Sequence, residues 1–310
     1  MKTPLVRVSE PVAKALADGR PVVALESTVF SRLGLPPPSG AEARQRSYEA
    51  ITSAGAVPAL TVVLDGTACV GVDDDELPAV LAAERKVGER DLPVAVAQRW
   101  PAAATTVSAS LALAATAGIG VFATGGIGGV HRDFADTGDE SADLLALARH
   151  PVVTVCAGAK SFLDLPRTLE RLETLGVPVI GVDTDNGEFP AFWSRRSGLP
   201  VPHDVQTPQQ AADVVRATRA LGWRGGVLVV TPVPQNDEVP ADELAPIIER
   251  ALADAVASGV TGGAVTPFVI DRIAAAAGGR TVAANLALVE HNAAVAADIA
   301  VVLAETAAAR

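Results

Sequence analysis

Lysine is scarce in this 310-residue chain: Lys2, Lys14, Lys86 and Lys160 stand against 21 arginines. Where only positive charge is needed, arginine serves. Only the lysine amine can lose its proton and attack carbon, so a lysine that persists is a candidate nucleophile. Lys2 and Lys14 lie in a polar N-terminal segment and read as solvated. Cysteine is also scarce. Cys69 and Cys156 each sit in an apolar stretch, which excludes a disulfide framework and reads as buried thiols in a reducing compartment. No dinucleotide fingerprint, Walker loop, zinc-type Cys/His spacing or nucleophile elbow is present.

Positive charge is in deficit. A net charge of -11 excludes a general nucleic-acid binder, yet leaves room for a small phosphorylated substrate in a local positive pocket. The N-terminus lacks an apolar core of the signal-peptide kind, so a cytoplasmic location is expected. Pro101–Val130 carries no charge, but it is built of Ala, Gly, Thr and Ser rather than Leu, Ile and Phe. It reads as a buried helix, a strand and a glycine loop, not a membrane span.

What is abundant is alternation. Apolar runs at Val22–Leu25, Ala59–Leu64, Pro93–Ala97, Gly120–Thr124, Val152–Cys156, Val177–Val182 and Gly226–Val230 read as strands. Helical patterns lie between most of them: Gly40–Ala54, Asp75–Arg85, Thr105–Ala117, Ser141–Arg149, Ser161–Leu175 and Pro208–Leu221. Three more follow at Pro240–Ser258, Thr266–Ala277 and Thr281–Leu303. The pattern predicts one α/β domain over residues 1–310. It is three-layered α/β/α, with a largely parallel or mixed sheet and a helical C-terminal part from about 240.

In such sheets the site lies beyond the strand C-termini. Glu26 follows the first run, where it reads as a general acid of raised pKa or as a turn cap. The glycines of Thr124–Gly129 expose backbone N–H groups to a phosphate, or simply form a turn. His131, Arg132, Asp133, Asp136, Asp139, Glu140 and Asp143 then crowd together, as a solvated acidic loop or a hard-cation site. Ser141 is placed to cap a helix or hold a phosphate. Lys160 lies past a fully apolar strand, at the expected mouth of a helix. Both features lower an amine's pKa; the alternative is a salt-bridged lysine. Lys86 and Arg90 are phosphate ligands or surface charges. The Ala104–Val107 turn offers donors at a helix start, and Asn285 is polar on an apolar helix.

The segments VALESTVFSRLGLP, ATTVSASLALAATAGIGVFATGGIGGVHR, SADLLALA, VCAGAKSFLDLPRTLERLETLGVPVIG, FPAFWSRRSGL and ANLALVEHNA appear in order. They resemble the pseudouridine-5′-phosphate glycosidase family, also called indigoidine-synthase-A-like, from about Leu25 to Ala300. The resemblance implies reversible conversion of pseudouridine 5′-phosphate and water to uracil and ribose 5-phosphate. It implies a homotrimer and one divalent metal per subunit, typically Mn²⁺. It assigns Lys160 as the nucleophile on ribose C1′, Glu26 as proton donor and Asp139 as metal ligand. Lys86, Val107, Ser141, Ala142, Asp143, Thr124, His131 and Asn285 fall on its substrate-site motifs. Gly138, Glu140, His291, Asp133 and Phe134 depart from the pattern. A C-glycoside has no leaving-group oxygen to protonate, so the usual carboxylate pair does not suffice and an amine nucleophile fits the need. Two other readings are a lysine-dependent aldolase or lyase of another sugar phosphate, and a non-catalytic sugar-phosphate binder.

Overall fold

The computed structural model describes residues 6–262 and 265–308. Lys2 lies outside them; Lys14 is exposed and pairs with Asp18. Among the described residues, eleven strands join in one sheet. They are β1 (Val6–Val8), β2 (Val22–Leu25), β3 (Val57–Leu64), β4 (Thr67–Val70), β5 (Lys86–Val87), β6 (Ala102–Thr105), β7 (Val121–Ala123), β8 (Val153–Cys156), β9 (Val179–Val182), β10 (His203–Val205) and β11 (Val227–Val230). Their order is β1-β4-β3-β2-β7-β8-β11-β9-β10, with β6 against β3 and β5 against β6. All pairs are parallel except β3 with β4 and β3 with β6. The central strands are buried along their whole length, which is why they read as unbroken apolar runs.

The helices are α1 (Glu10–Ala17), α2 (Ser39–Ser53), α3 (Leu77–Leu81), α4 (Leu92–Ala97), α5 (Val107–Ala117), α6 (Phe134–Thr137), α7 (Ala142–Arg149), α8 (Leu165–Thr174), α9 (Pro208–Ala220), α10 (Ala241–Ala257), α11 (Val265–Ala276) and α12 (Arg280–Ala308). They cover both faces of the sheet, as an α/β/α fold requires. α5 packs on α7 and against β2, β3 and β7, while α12 packs on α2 and α9 and against β2, β7 and β8. α12 is long and apolar enough to cross a bilayer by length and composition. Here it is a core helix that buries Ala284, Leu288, Asn292, Ala296 and Ile299. The uncharged stretch from Pro101 is β6, α5, β7 and a loop.

Three departures from the pattern are local. Pro93–Ala97 is not a strand but lies in α4: the run is too short for periodicity to separate strand from helix. Pro93 stands in the first turn, where its missing N–H costs nothing. The Asp75–Arg85 pattern yields only the five residues of α3. β4 escaped notice although Asp65-Gly66, both at positive φ, is a hairpin signature between β3 and β4.

Candidate active site

Strand ends gather the chemistry. Glu26 directly follows β2, Thr124 follows β7, Lys160 follows β8 by four residues, and Lys86 opens β5. Glu26 is buried, and its Oε1 accepts a short hydrogen bond from the Thr124 hydroxyl. Burial pushes its carboxyl up to about 7; Asp143 adds to the rise, while Lys160, the Thr124 bond and Lys86 oppose it. A carboxyl in that range carries a proton near neutrality and can give it away. Lys86 is held below the usual lysine value, first by burial and then by the neighbouring Lys160. Two amines and two carboxyl groups therefore lie close enough to bear on one another's ionisation.

The Lys160 amine donates to the carbonyl of Gly126 at 2.9 Å. That carbonyl belongs to the glycine loop after β7. A side chain on Gly126 would stand 2.6 Å from the Phe192 ring, so the glycine is required for this approach. Phe192 itself adopts φ +63, a left-handed conformation uncommon for an aromatic residue. The expected helix at Ser161 begins only at Leu165, capped by Asp164. The helix terminus therefore stands away from the lysine in sequence. Its local field comes instead from Glu26, Lys86 and the loop carbonyl.

The glycine loop is packed rather than open. A Cβ on Gly128 would meet Ser141 Oγ at 2.3 Å, and one on Gly129 would meet Thr168 Oγ1 at 2.4 Å. The N–H of Gly128 donates to Asp143 Oδ2 at 2.9 Å, and the N–H of Ser108 to Oδ1 at 3.0 Å. Asp143 thus uses both oxygens to clamp the loop against the first turn of α5. Ser141 caps α7 by accepting from the Asp143 N–H, and Ala142 is exposed beside it. Val107 opens α5 with a buried side chain, and Thr106 makes no side-chain cap there. The first turn of α5 is thus tied by its Ser108 N–H to Asp143 at the edge of the cluster.

His131 and Asp139 form a separate pair. The His131 N–H donates to the Asp139 carbonyl at 3.1 Å, and their side chains approach to 4.0 Å. Among the described residues no group of three or more His, Cys, Asp or Glu is arranged to hold a metal. A hard cation does not need one. One carboxylate completed by waters and substrate oxygens suffices for Mg²⁺ or Mn²⁺, and the Asp139 carboxylate, one-third exposed, fits that donor set. Of its unusual neighbours, Gly138 ends α6 at φ +65. Glu140 turns away to a two-pronged bridge with Arg171 at 2.8 and 2.9 Å.

α12 supports the cluster from behind. Asn292 Nδ2 donates to the carbonyls of Thr124 at 2.8 Å and Gly125 at 3.1 Å. Asn285, two turns earlier on the same face, accepts from the buried Trp193 indole at 3.1 Å. His291 faces Thr231 at 3.0 Å, and burial lowers its pKa. Arg90 is exposed. Cys69 and Cys156 are buried free thiols, the latter pushed up to about 12 by burial. Concavities of about 410 Å³ beside α6 and α8, and of about 840 Å³ between α8 and α9, include none of Glu26, Lys86 or Lys160.

The α/β/α sheet thus brings a lysine and a buried carboxyl of raised pKa to its strand ends. The profile of the indigoidine synthase A like protein family matches residues 11–302, and the chain belongs to that family. It is similar to a pseudouridine-5′-phosphate glycosidase of Methylobacterium nodulans, 49% identical over 98% of this chain and 89% of the relative. Another of that name, from Deinococcus radiodurans, is 51% identical over 93% and 92%. A crystal structure of a prealnumycin C-glycosynthase in complex with ribulose 5-phosphate superimposes with a TM-score of 0.90. It is 35% identical and is covered completely, as is this chain. An indigoidine synthase A-like protein of Thermotoga maritima gives 0.86, at 36% identity over 97% of each chain.

Proposed function

We propose that this enzyme is a pseudouridine-5′-phosphate glycosidase that works through a covalent lysine–ribose adduct. It cleaves the carbon–carbon bond of pseudouridine 5′-phosphate with water, giving uracil and ribose 5-phosphate, and the reaction is reversible. The observation that carries the reading is the electrostatic cluster of Glu26, Lys86 and Lys160 at the strand ends, with a buried carboxyl pushed up to about 7. The relatives named for this activity support it across nearly the whole chain.

Lys160 attacks C1′ while Glu26 gives its proton to the ring oxygen, and the sugar opens. The adduct nitrogen gives a proton to the Glu26 carboxylate, its lone pair then forms a C1′=N bond as the C1′–C5 electron pair leaves to the base, and that proton is returned to the base at C5. Water attacks the iminium carbon and releases ribose 5-phosphate, restoring the amine. Glu26 serves because its burial keeps it protonated until the ring oxygen needs the proton. Lys86 and the first turn of α5, with Val107, supply the positive surface for the phosphate; Ser141, Ala142, Asp143, Thr124, His131 and Asn285 frame the substrate. Asp139, beside His131, would hold Mn²⁺ with waters, and the metal would supply charge neutralisation near the substrate.

The enzyme is proposed to be a cytoplasmic homotrimer. Two buried free thiols support a reducing compartment, and the exposed Leu221 and Trp223 support an apolar contact surface. Uracil release from pseudouridine 5′-phosphate in the presence of Mn²⁺ tests the activity. Borohydride trapping of a ribose phosphate on Lys160 tests the adduct, and light scattering tests the trimer. No uracil release would leave an aldolase or lyase of another sugar phosphate, or a binder without turnover.

A further inference from the structure

The turn after β6 was a candidate source of donors for substrate. The structure turns the Thr105 hydroxyl the other way, into the protein. Ser27, Thr61, Thr105 and Ser110 are all buried, and their hydroxyls form one chain. Ser27 Oγ lies 3.1 Å from Thr105 Oγ1, Thr105 Oγ1 lies 2.8 Å from Thr61 Oγ1, and Thr61 Oγ1 lies 2.8 Å from Ser110 Oγ. Ser110 Oγ donates to the Thr106 carbonyl at 2.8 Å. Each hydroxyl carries one proton, so Thr61 donates either to Ser110 or to the Leu25 carbonyl, and Thr105 either to Thr61 Oγ1 or to the Thr61 carbonyl at 2.8 Å.

Its position is what matters. Leu25 and Ser27 flank Glu26. Thr61 Oγ1 reaches the Leu25 carbonyl at 3.0 Å, and the Ser27 N–H donates to Thr105 Oγ1 at 3.3 Å. In return the Thr105 N–H donates to Ser27 Oγ at 2.9 Å, and the Thr28 N–H to the Thr105 carbonyl at 3.1 Å. The backbone on both sides of Glu26 is therefore clamped to β3 and β6. The far end of the chain is Thr106, one residue before the Val107 turn of α5. We propose that Thr105 is the positioning residue that holds Glu26 for proton donation and fixes its placement relative to the α5 N-terminus.

The proposal rests on the glycosidase reading, and uracil release by the wild-type enzyme tests that reading separately. The Thr105→Val variant keeps shape and removes the hydroxyl. Its kcat should fall about 10- to 100-fold with KM within about threefold, since a displaced acid slows the chemical step without removing substrate contacts. Thr105→Ser should restore kcat to within about threefold of wild type. A second readout separates positioning from simple support. The groups that bear on Glu26 are Lys160, Thr124, Asp143 and Lys86. Loosening its backbone admits water, which lowers its pKa, so the alkaline limb of the kcat profile should move to lower pH in Thr105→Val. A folded Thr105→Val enzyme with wild-type kcat and an unmoved limb overturns the proposal. If Thr105→Val does not fold, Ser27→Ala breaks the same chain one link away. An unchanged limb and kcat in that variant overturn it equally.

Discussion

The Thr124 hydroxyl donates to Oε1 of Glu26, and Asn292 holds the Thr124 carbonyl from the opposite side. One residue thus connects the proposed general acid to the C-terminal helix. The bond stabilises ionised Glu26, against the burial that disfavours it. Thr124→Val should therefore raise the Glu26 pKa, and the alkaline limb of the pH–rate profile should move to higher pH. A limb that stays in place would separate Thr124 from the acid.

Asn292→Ala tests the support from α12. It leaves the Thr124 carbonyl without the Asn292 donor, while the Gly125 carbonyl keeps the Ala157 N–H at 2.9 Å, at a cost of about 1–3 kcal/mol. Urea unfolding should show that loss, with kcat lowered as the Thr124–Glu26 bond loosens. Loss of stability with unchanged kcat would make Asn292 a structural residue only.

Chelation should lower turnover and Mn²⁺ should restore it. In Asp139→Asn the restoring concentration should rise by about tenfold or more if, as proposed, its carboxylate is the main protein donor. Calorimetric titration of Mn²⁺ into both proteins reads this directly. Equal affinities would remove Asp139 from the metal.

Much of the site was legible in the chain. Lys160 stood out because arginine had replaced lysine almost everywhere else, and Ser141 was a helix cap by type and place. What escaped was non-local. Thr61 and Ser110 look unremarkable inside apolar segments, and only the pairing of β3 with β6 brings their hydroxyls to Thr105. The glycine loop was seen, but its purpose was not. Its glycines make room for Phe192, Ser141 and Thr168, residues 13 to 66 positions away, and no local pattern reports them. The PVAVA run misled because five apolar residues carry too little periodicity to choose between strand and helix.

Lys160→Arg should be as inactive as Lys160→Ala, each losing about 10³-fold or more. Arginine keeps the charge and can still reach an anionic substrate, but its guanidinium does not lose a proton to attack C1′. Uracil release and intact-protein mass after borohydride treatment together check this. Appreciable turnover in Lys160→Arg would contradict a covalent lysine.

Glu26→Gln gives a signature in stability as well as activity. The folded carboxyl titrates at about 7 against an ordinary value of 4.5, because burial penalises its charge. Between those values the folded protein holds a proton that the unfolded chain has released. Stability is therefore lost as pH rises from 4.5 through 7, and is constant on either side as far as this group decides it. Glutamine cannot ionise, keeps an oxygen for the Thr124 hydroxyl, and escapes the loss. Glu26→Gln should melt close to wild type near pH 4.5 and a few degrees above it at pH 8, while turnover is abolished at both. Scanning calorimetry across that range checks the divergence. Parallel curves would mean that Glu26 is not held protonated by the fold, and its place as the proton donor would fall with that.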